Sequence, residues 1–480
     1  MINLRFLLYF PLIFLFLPAF QFHISGTRIF CFIAPFIIVP VLLLVIVKNP
    51  NQFYQKIKNV ILETPLKFFM IVVGLMLLNV LIQIMLGNLK LGFAIYSVIV
   101  FMFLGFLSLL FYLIFIIDKY FSYFKFLKIF ILFFWINLIL GFVCYTGQLF
   151  DLQFITDIFD FFANARILST KSGLAIDLGA SNYFAFGFPR LDNLFEEPGH
   201  YAKFLYLFLP LIYFAGNCKY RLYKNKYLNI CLKKTIIPFT WLSIILTFSP
   251  IFLIYSLIIT VLYFHKQLFL FIKKYFIVFI SLFLTIIITF SKIDLSETFL
   301  SRIINVLSRI KSFEDFILIE PSLATRFVCY INSIIVFIKH PFLGVGYENL
   351  ITFMKDQMLN SPVPLTPELY KKLSFAIATN SKMYYSTGFI YYILAENGII
   401  IFSIFCYFYY LMIKKIKVIL KYIQSPRSLK FQIANMLFWL LICNLLLFIY
   451  DYNLRQNTLY IMIALVIMYI YNIKNIREMK

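Results

Sequence analysis

Residues 235–264 read TIIPFTWLSIILTFSPIFLIYSLIITVLYF, a stretch without a single charge. A helix rises 1.5 Å per residue, so about 20 apolar residues cross the ~30 Å hydrocarbon core of a bilayer. The stretch is too long for one upright crossing. Ser249-Pro250 in its middle supplies a break, because proline has no backbone donor and collides with the preceding turn. Two short spans, 235–248 and 250–264, joined by a tight turn are therefore expected. Everything downstream depends on this. One span here would put the later segments on the other side of the membrane, whereas two keep Lys273 and Lys274 on the same side as the cluster from Lys219 to Lys234.

Working outward, further apolar stretches recur at about 4–22, 28–47, 67–86, 92–117, 129–149 and 201–216, then at 275–290, 386–412, 431–450 and 458–472. The composition agrees: 63% of the 480 residues are hydrophobic and 13% charged, against roughly 45–50% and about 25% in soluble domains. Lipid must be the solvent for most of the surface. The fold class expected is an all-α polytopic membrane protein with about twelve transmembrane helices in a single membrane domain. The stretch 4–22 has no small-residue cleavage pattern and is expected as a first helix, not a removed signal peptide.

The formal charge of +23 invites a nucleic-acid partner. The basic residues, however, lie in short clusters between spans, as the positive-inside rule expects of cytoplasmic loops. With both termini inside, 48–66, 118–128, 217–234, 265–274, 413–430 and the tail are cytoplasmic and hold the larger share of the 43 Lys and Arg. No nucleic acid is expected, and the 62 Phe and 33 Tyr look like a coding bias, not a stacking platform. The seven cysteines form no CxxC pair, and the four histidines have no paired ligand spacing, so neither a metal nor a cofactor is expected. Acids near mid-membrane are almost absent, which weighs against an ion-coupled transporter.

Two long outer loops remain, 150–200 and 291–385, and long ordered loops usually carry function. In the first, Arg190 and Glu197 precede Pro198-Gly199, where a helix opens with its N-terminus outward. Helix N-termini favour phosphate, and arginine offers a fork of donors suited to it. Glu197 could act as a base or hold Arg190, and a plain solvated Arg–Glu pair is the alternative. In the second, Phe327, Ile331, Ile334, Ile335 and Ile338 fall on one face of an amphipathic helix near 325–339, expected on the outer membrane surface. Arg326 opens it. Arg302 and Arg309, seven apart, share a face upstream. A basic face there could hold a pyrophosphate-linked lipid headgroup or simply attract anionic lipid. His200 and His340 lie in the same segments and are open to a structural or a binding role.

Arg190 with Phe195-Glu196-Glu197-Pro198-Gly199, then Leu246-Thr247-Phe248-Ser249, His340-Pro341-Phe342-Leu343-Gly344-Val345-Gly346 after Arg326, and Leu394-Ala395-Glu396-Asn397-Gly398-Ile399 occur in this order. In that order they resemble the O-antigen polymerase and O-antigen ligase superfamily of bacterial surface polysaccharide synthesis. The resemblance implies a GT-C-like membrane glycosyltransferase of the inner membrane with two large periplasmic loops. Its substrate would be an undecaprenyl-pyrophosphate-linked oligosaccharide, with membrane lipid around it and a chain-length regulator and a flippase of the same pathway as partners. Pro250 and Thr387 stand where the ligase branch carries an arginine and a histidine, which points to the polymerase branch. The alternatives are a ligase transferring polymer to lipid A core, or a lipid-linked oligosaccharide flippase. The resemblance implies catalytic roles for Glu197 and Arg190 and substrate binding by Arg326; Arg302, Arg309, His200 and His340 join them as substrate-binding candidates from the reading of the loops.

Overall fold

The computed structural model of the chain describes residues 33–48, 50–89, 107–117, 120–150, 198–265, 321–346, 349–378, 388–423, 425–450 and 457–478, with positions 91, 152, 154–155, 184–185, 188–189, 191 and 267. The expected spans 4–22 and 275–290, most of the span 92–117, most of the first loop and residues 291–320 and 379–385 of the second lie outside these. The described chain is helical apart from one short hairpin, β1 (Phe184–Ala185) antiparallel to β2 (Phe188–Pro189), with Phe184 opposite Pro189. In order the helices are α1 (Ile33–Lys48), α2 (Pro50–Glu63), α3 (Leu66–Met85), α4 (Ser108–Ile116), α5 (Tyr120–Leu149), α6 (Pro198–Leu207), α7 (Leu209–Asn217) and α8 (Lys226–Leu246). There follow α9 (Pro250–Tyr263), α10 (Pro321–Lys339), α11 (Leu350–Leu359), α12 (Pro367–Ala378), α13 (Phe389–Tyr422), α14 (Leu429–Tyr450) and α15 (Asn457–Glu478).

Five of these, α3, α5, α8, α13 and α14, are long and apolar enough to cross a bilayer, with shorter apolar helices at Ile251–Tyr263 and Leu459–Ile473. The protein is a helical membrane protein. The 235–264 stretch does divide, at residues 247–249, into α8 and α9. Its first helix starts nine residues earlier than hydropathy places it, at Lys226 behind an Asn225 cap whose side chain accepts the Leu228 amide at 3.1 Å. Similar corrections apply elsewhere. Residues 120–128, expected as loop, form the first turns of α5, and α13 runs on to Tyr422, leaving only a short link to α14. A helix continues into water wherever its backbone bonds do, and hydropathy sees only the part in lipid. The opposite error occurs at 201–216. Pro210 lacks a donor, and the helix breaks at Phe208 into α6 and α7.

Ring and hydroxyl contacts set the directions. α3 runs antiparallel to α13, with Phe68 edge-on to Tyr407 and Asn79 beside Glu396. α14 runs antiparallel to α13, the Tyr409 hydroxyl donating to the Leu441 carbonyl at 2.7 Å. Tyr469 of α15 donates to the carbonyl of Lys430, and its ring lies 5.6 Å from Tyr123 at the start of α5. α8 lies beside α5 in the same direction, tied by Trp135 Nε1 to Thr235 Oγ1 at 2.8 Å. These pairings gather Lys125, Lys128, Lys233, Lys414, Lys421 and Lys430 toward one end of the bundle.

At Gly398 the backbone of α13 takes φ 68° and ψ 179°, which no helix contains. The two arms fold back sharply. Phe389 and Phe405 lie about 13 and 10 Å of helix from the bend, yet their rings are 5.1 Å apart. The first arm lies across the end of α14, with Phe389 stacked on Phe448 at 4.5 Å. Next to it α10, α11 and α12 enclose a second small core of Val328, Cys329, Val336, Leu350, Met354 and Leu373.

A Cβ on Gly398 would collide with the Phe342 carbonyl as well as strain a positive φ. We expect Gly398→Ala to cost at least about 1–3 kcal/mol from the backbone alone. Gly74→Ala, in α3 with nothing within 4 Å of its added carbon, should be neutral or slightly stabilising. Thermal unfolding of the detergent-purified variants checks this, and equal melting temperatures would contradict it.

Candidate functional site

The bend in α13 is held by the turn that follows α10. Pro341 ends that helix, and residues 341–346 lie against the bend. The Ile399 amide, whose helical acceptor would be Ala395, donates instead to the Pro341 carbonyl at 2.8 Å. The freed carbonyls of Ala395 and Glu396 accept from the amides of Val345 and Gly346 at 3.0 and 2.8 Å. Gly344, at φ 66°, has no room for a Cβ against the Glu396 carbonyl. The segments 340–346 and 394–399 are thus joined backbone to backbone.

A third element closes the junction. Asn79 and Gln83 are four residues apart on α3, so they share one face. Asn79 Nδ2 donates to the Leu343 carbonyl at 2.5 Å and to that of Glu396 at 3.3 Å. Gln83 Nε2 reaches the Gly344 carbonyl at 3.3 Å, and Asn88 Nδ2 donates to Gln83 Oε1 at 2.9 Å. Asn349 Nδ2 bonds the carbonyls of Val345 and Asn88. The carboxyl of Glu396 is fully buried at this junction and, among the described residues, makes no hydrogen bond of normal geometry. The Tyr392 hydroxyl and the Leu350 amide are the polar groups nearest it in influence. Sequence reading took Glu396 only as part of a motif and passed over Asn79, Gln83 and Asn349. Their signal was present: two amides at i, i+4 and one acid inside apolar spans.

The other two segments also meet. The Leu191 amide donates to the Leu246 carbonyl at 2.9 Å, tying the chain just after Arg190 to the α8–α9 turn. Below that contact, Ile139, Phe142, Val143, Thr146, Ile155, Phe239 and Leu242 line an apolar groove of about 370 Å³ between α5 and α8. Tyr206 of α6 donates to the Cys443 carbonyl at 3.2 Å, so α14 stands between α6 and the first arm of α13.

Arg190, Glu197, Arg302 and Arg309 lie outside the described residues. His200 sits in the first turn of α6. Arg326 is half-buried near the start of α10, close enough to Cys329 to act on it together with Lys372 and Glu368. The last two are paired at 2.6 Å. His340 caps the other end of the same helix, its amide bonded to the carbonyls of Val336 and Phe337 and its ring edge-on to Phe353 at 5.4 Å. Fourteen residues of helix separate Arg326 from His340, about 21 Å, so these two do not share one subsite.

Desolvation, then the neighbouring Lys339, holds the His340 imidazole below its ordinary pKa. The unfolded chain therefore binds the proton first. The stability tied to neutral His340 is complete above the usual imidazole pKa and is lost as pH falls through the lowered one. Melting temperature should drop on acidification below about pH 6.5, and His340→Phe should flatten that slope. An unchanged slope would contradict the assignment. Compared with models of known protein families and with curated proteins, the chain matches none.

Proposed function

We propose that this protein polymerises undecaprenyl-pyrophosphate-linked oligosaccharide repeat units into O-antigen or a related surface polysaccharide. It would do so at the periplasmic face of the bacterial inner membrane, on a GT-C-like scaffold of about twelve spans. One observation carries the reading. Two of the segments that resemble the polymerase and ligase superfamily, 340–346 and 394–399, are joined backbone to backbone, and Leu191, next in sequence to Arg190, bonds Leu246 of a third. Both pairs lie away from the basic end, on either side of α14.

In the proposed reaction a hydroxyl of the lipid-linked acceptor unit attacks the anomeric carbon of the growing chain. The new C–O bond forms as the bond to pyrophosphate breaks, and undecaprenyl pyrophosphate leaves. Glu197 takes the hydroxyl proton or orients Arg190. Arg190 and Arg326, with Arg302 or Arg309, meet the charge that develops on the leaving group, and such preorganised electrostatics is often the largest catalytic term. The apolar groove between α5 and α8 suits a hydrocarbon chain.

A gel of surface polysaccharide from the native host tests the reading. Deletion should leave lipid A core carrying a single repeat unit, and Arg190→Ala should copy that pattern. Glu197→Ala should slow polymerisation by around 10²–10⁴-fold if it is the base. Leu242→Trp, which fills the groove, should shorten the chains without loss of protein from the membrane. Bare core with polymer retained on its lipid carrier would make the protein a ligase instead. Unchanged polysaccharide on deletion would exclude both.

A further inference from the structure

At the other end of the bundle the structure joins two basic segments that are far apart in sequence. The first turns of α5 carry Lys125 and Lys128. The link from α7 to α8 and the start of α8 carry Lys219, Arg221, Lys224, Lys226, Lys233 and Lys234, and neither 120–128 nor 217–234 contains an acid. The Tyr223 hydroxyl donates to the Lys128 carbonyl at 2.5 Å, which fixes one segment on the other.

The link is not a loose tether. Asn229 Oδ1 accepts the amides of Leu222 and Tyr223 at 2.9 and 3.4 Å, and Asn225 caps α8. Lys233 Nζ folds back onto the carbonyls of Cys218 and Tyr220, and Arg221 Nε donates to the Tyr223 carbonyl at 2.9 Å. All these partners are neutral. Lys219, Arg221, Lys224, Lys226 and Lys234 are left exposed around an ordered loop. The positive end of the α8 dipole points the same way. Tyr227, 83% exposed, and Tyr220 rim the patch, as aromatic rings do at the level of lipid headgroups. No acid lies among the described residues of 120–128 and 217–234 to offset the exposed cations, so an anionic lipid surface facing them is attracted.

We propose that the 218–226 loop, with the starts of α5 and α8, is a binding site for the headgroup of an anionic phospholipid in the leaflet on that side. The two phosphates of a cardiolipin headgroup suit a patch this broad. Basic clusters between membrane helices hold such headgroups, each Lys near an anionic surface adding roughly fivefold to binding. The site goes beyond sugar transfer and stands independently of it.

The test uses the purified full-length protein in neutral-lipid nanodiscs at physiological salt. Cardiolipin is titrated in and bound lipid is counted by native mass spectrometry. The triple Lys219→Gln, Lys224→Gln, Lys226→Gln should lose at least about tenfold in retention, and Arg at the same three positions should restore it. The triple Lys414→Gln, Lys415→Gln, Lys417→Gln removes the same charge from α13 and should keep wild-type retention. Equal loss in both Gln triples, no loss in either, or failure of the Arg variant would overturn the proposal. So would displacement of the lipid by equimolar inorganic pyrophosphate, which would make the patch a soluble-anion site.

Discussion

In hydrocarbon an amide or carbonyl that loses its helical partner has no water to turn to, and the bend at Gly398 frees several at once. The turn after α10 answers that need group by group. Pro341 supplies the acceptor that Ile399 has lost, and Val345 and Gly346 supply donors to Ala395 and Glu396. The exchange requires two backbones in near contact, which explains glycine at 344 and 398. It also fixes where the α10–α12 unit sits, since its only described covalent exit from α10 is the strand of chain that makes these bonds. From α3, Asn79 then donates to the carbonyls of Glu396 and Leu343, and Gln83 to that of Gly344. Three elements distant in sequence thus share one hydrogen-bond network.

The choice of amides over charges at that network is physically sensible. Buried ion pairs must overcome the desolvation of both partners, while an amide satisfies carbonyls at lower cost and in fixed geometry. Glu396 is the exception, a carboxyl enclosed among neutral groups. Its backbone carbonyl serves the clasp, while its side chain lies near the Tyr392 hydroxyl and the Leu350 amide.

Helix α10 shows what the sequence could and could not tell. Its apolar positions follow a helical period and the helix is there. The stripe that would be buried in a soluble protein faces outward, with Phe327 45% and Ile338 66% exposed. The buried face includes Thr325, Asn332 and Ser333. Asn332 donates to the Val328 carbonyl and Ser361 Oγ and accepts from Gln357, which in turn accepts from Lys339. The polar groups turn inward with Val328, Cys329 and Val336 because their partners are there, and the exposed stripe is apolar. Exposed Phe342 and Leu343 carry the stripe past the turn, and Ile399 and Ile400 carry it onto the spanning arm of α13.

Among the described residues, the spans at α3, α5 and α14 were legible because crossing lipid imposes a length and a composition, and Ser249-Pro250 was legible because proline cannot continue a helix. Helix ends in water were not, since nothing apolar marks them: α5 and α8 both begin among lysines. The bend at Gly398 was also hidden. A glycine in an apolar run reads as tolerated, and only the partner turn, some fifty residues earlier in the chain, shows that it is required. The motif 340–346 and the motif 394–399 each look weak because neither has a local reason to exist. Together they are the two halves of one joint, and the residue types at each half follow from the hydrogen bonds the other half must receive.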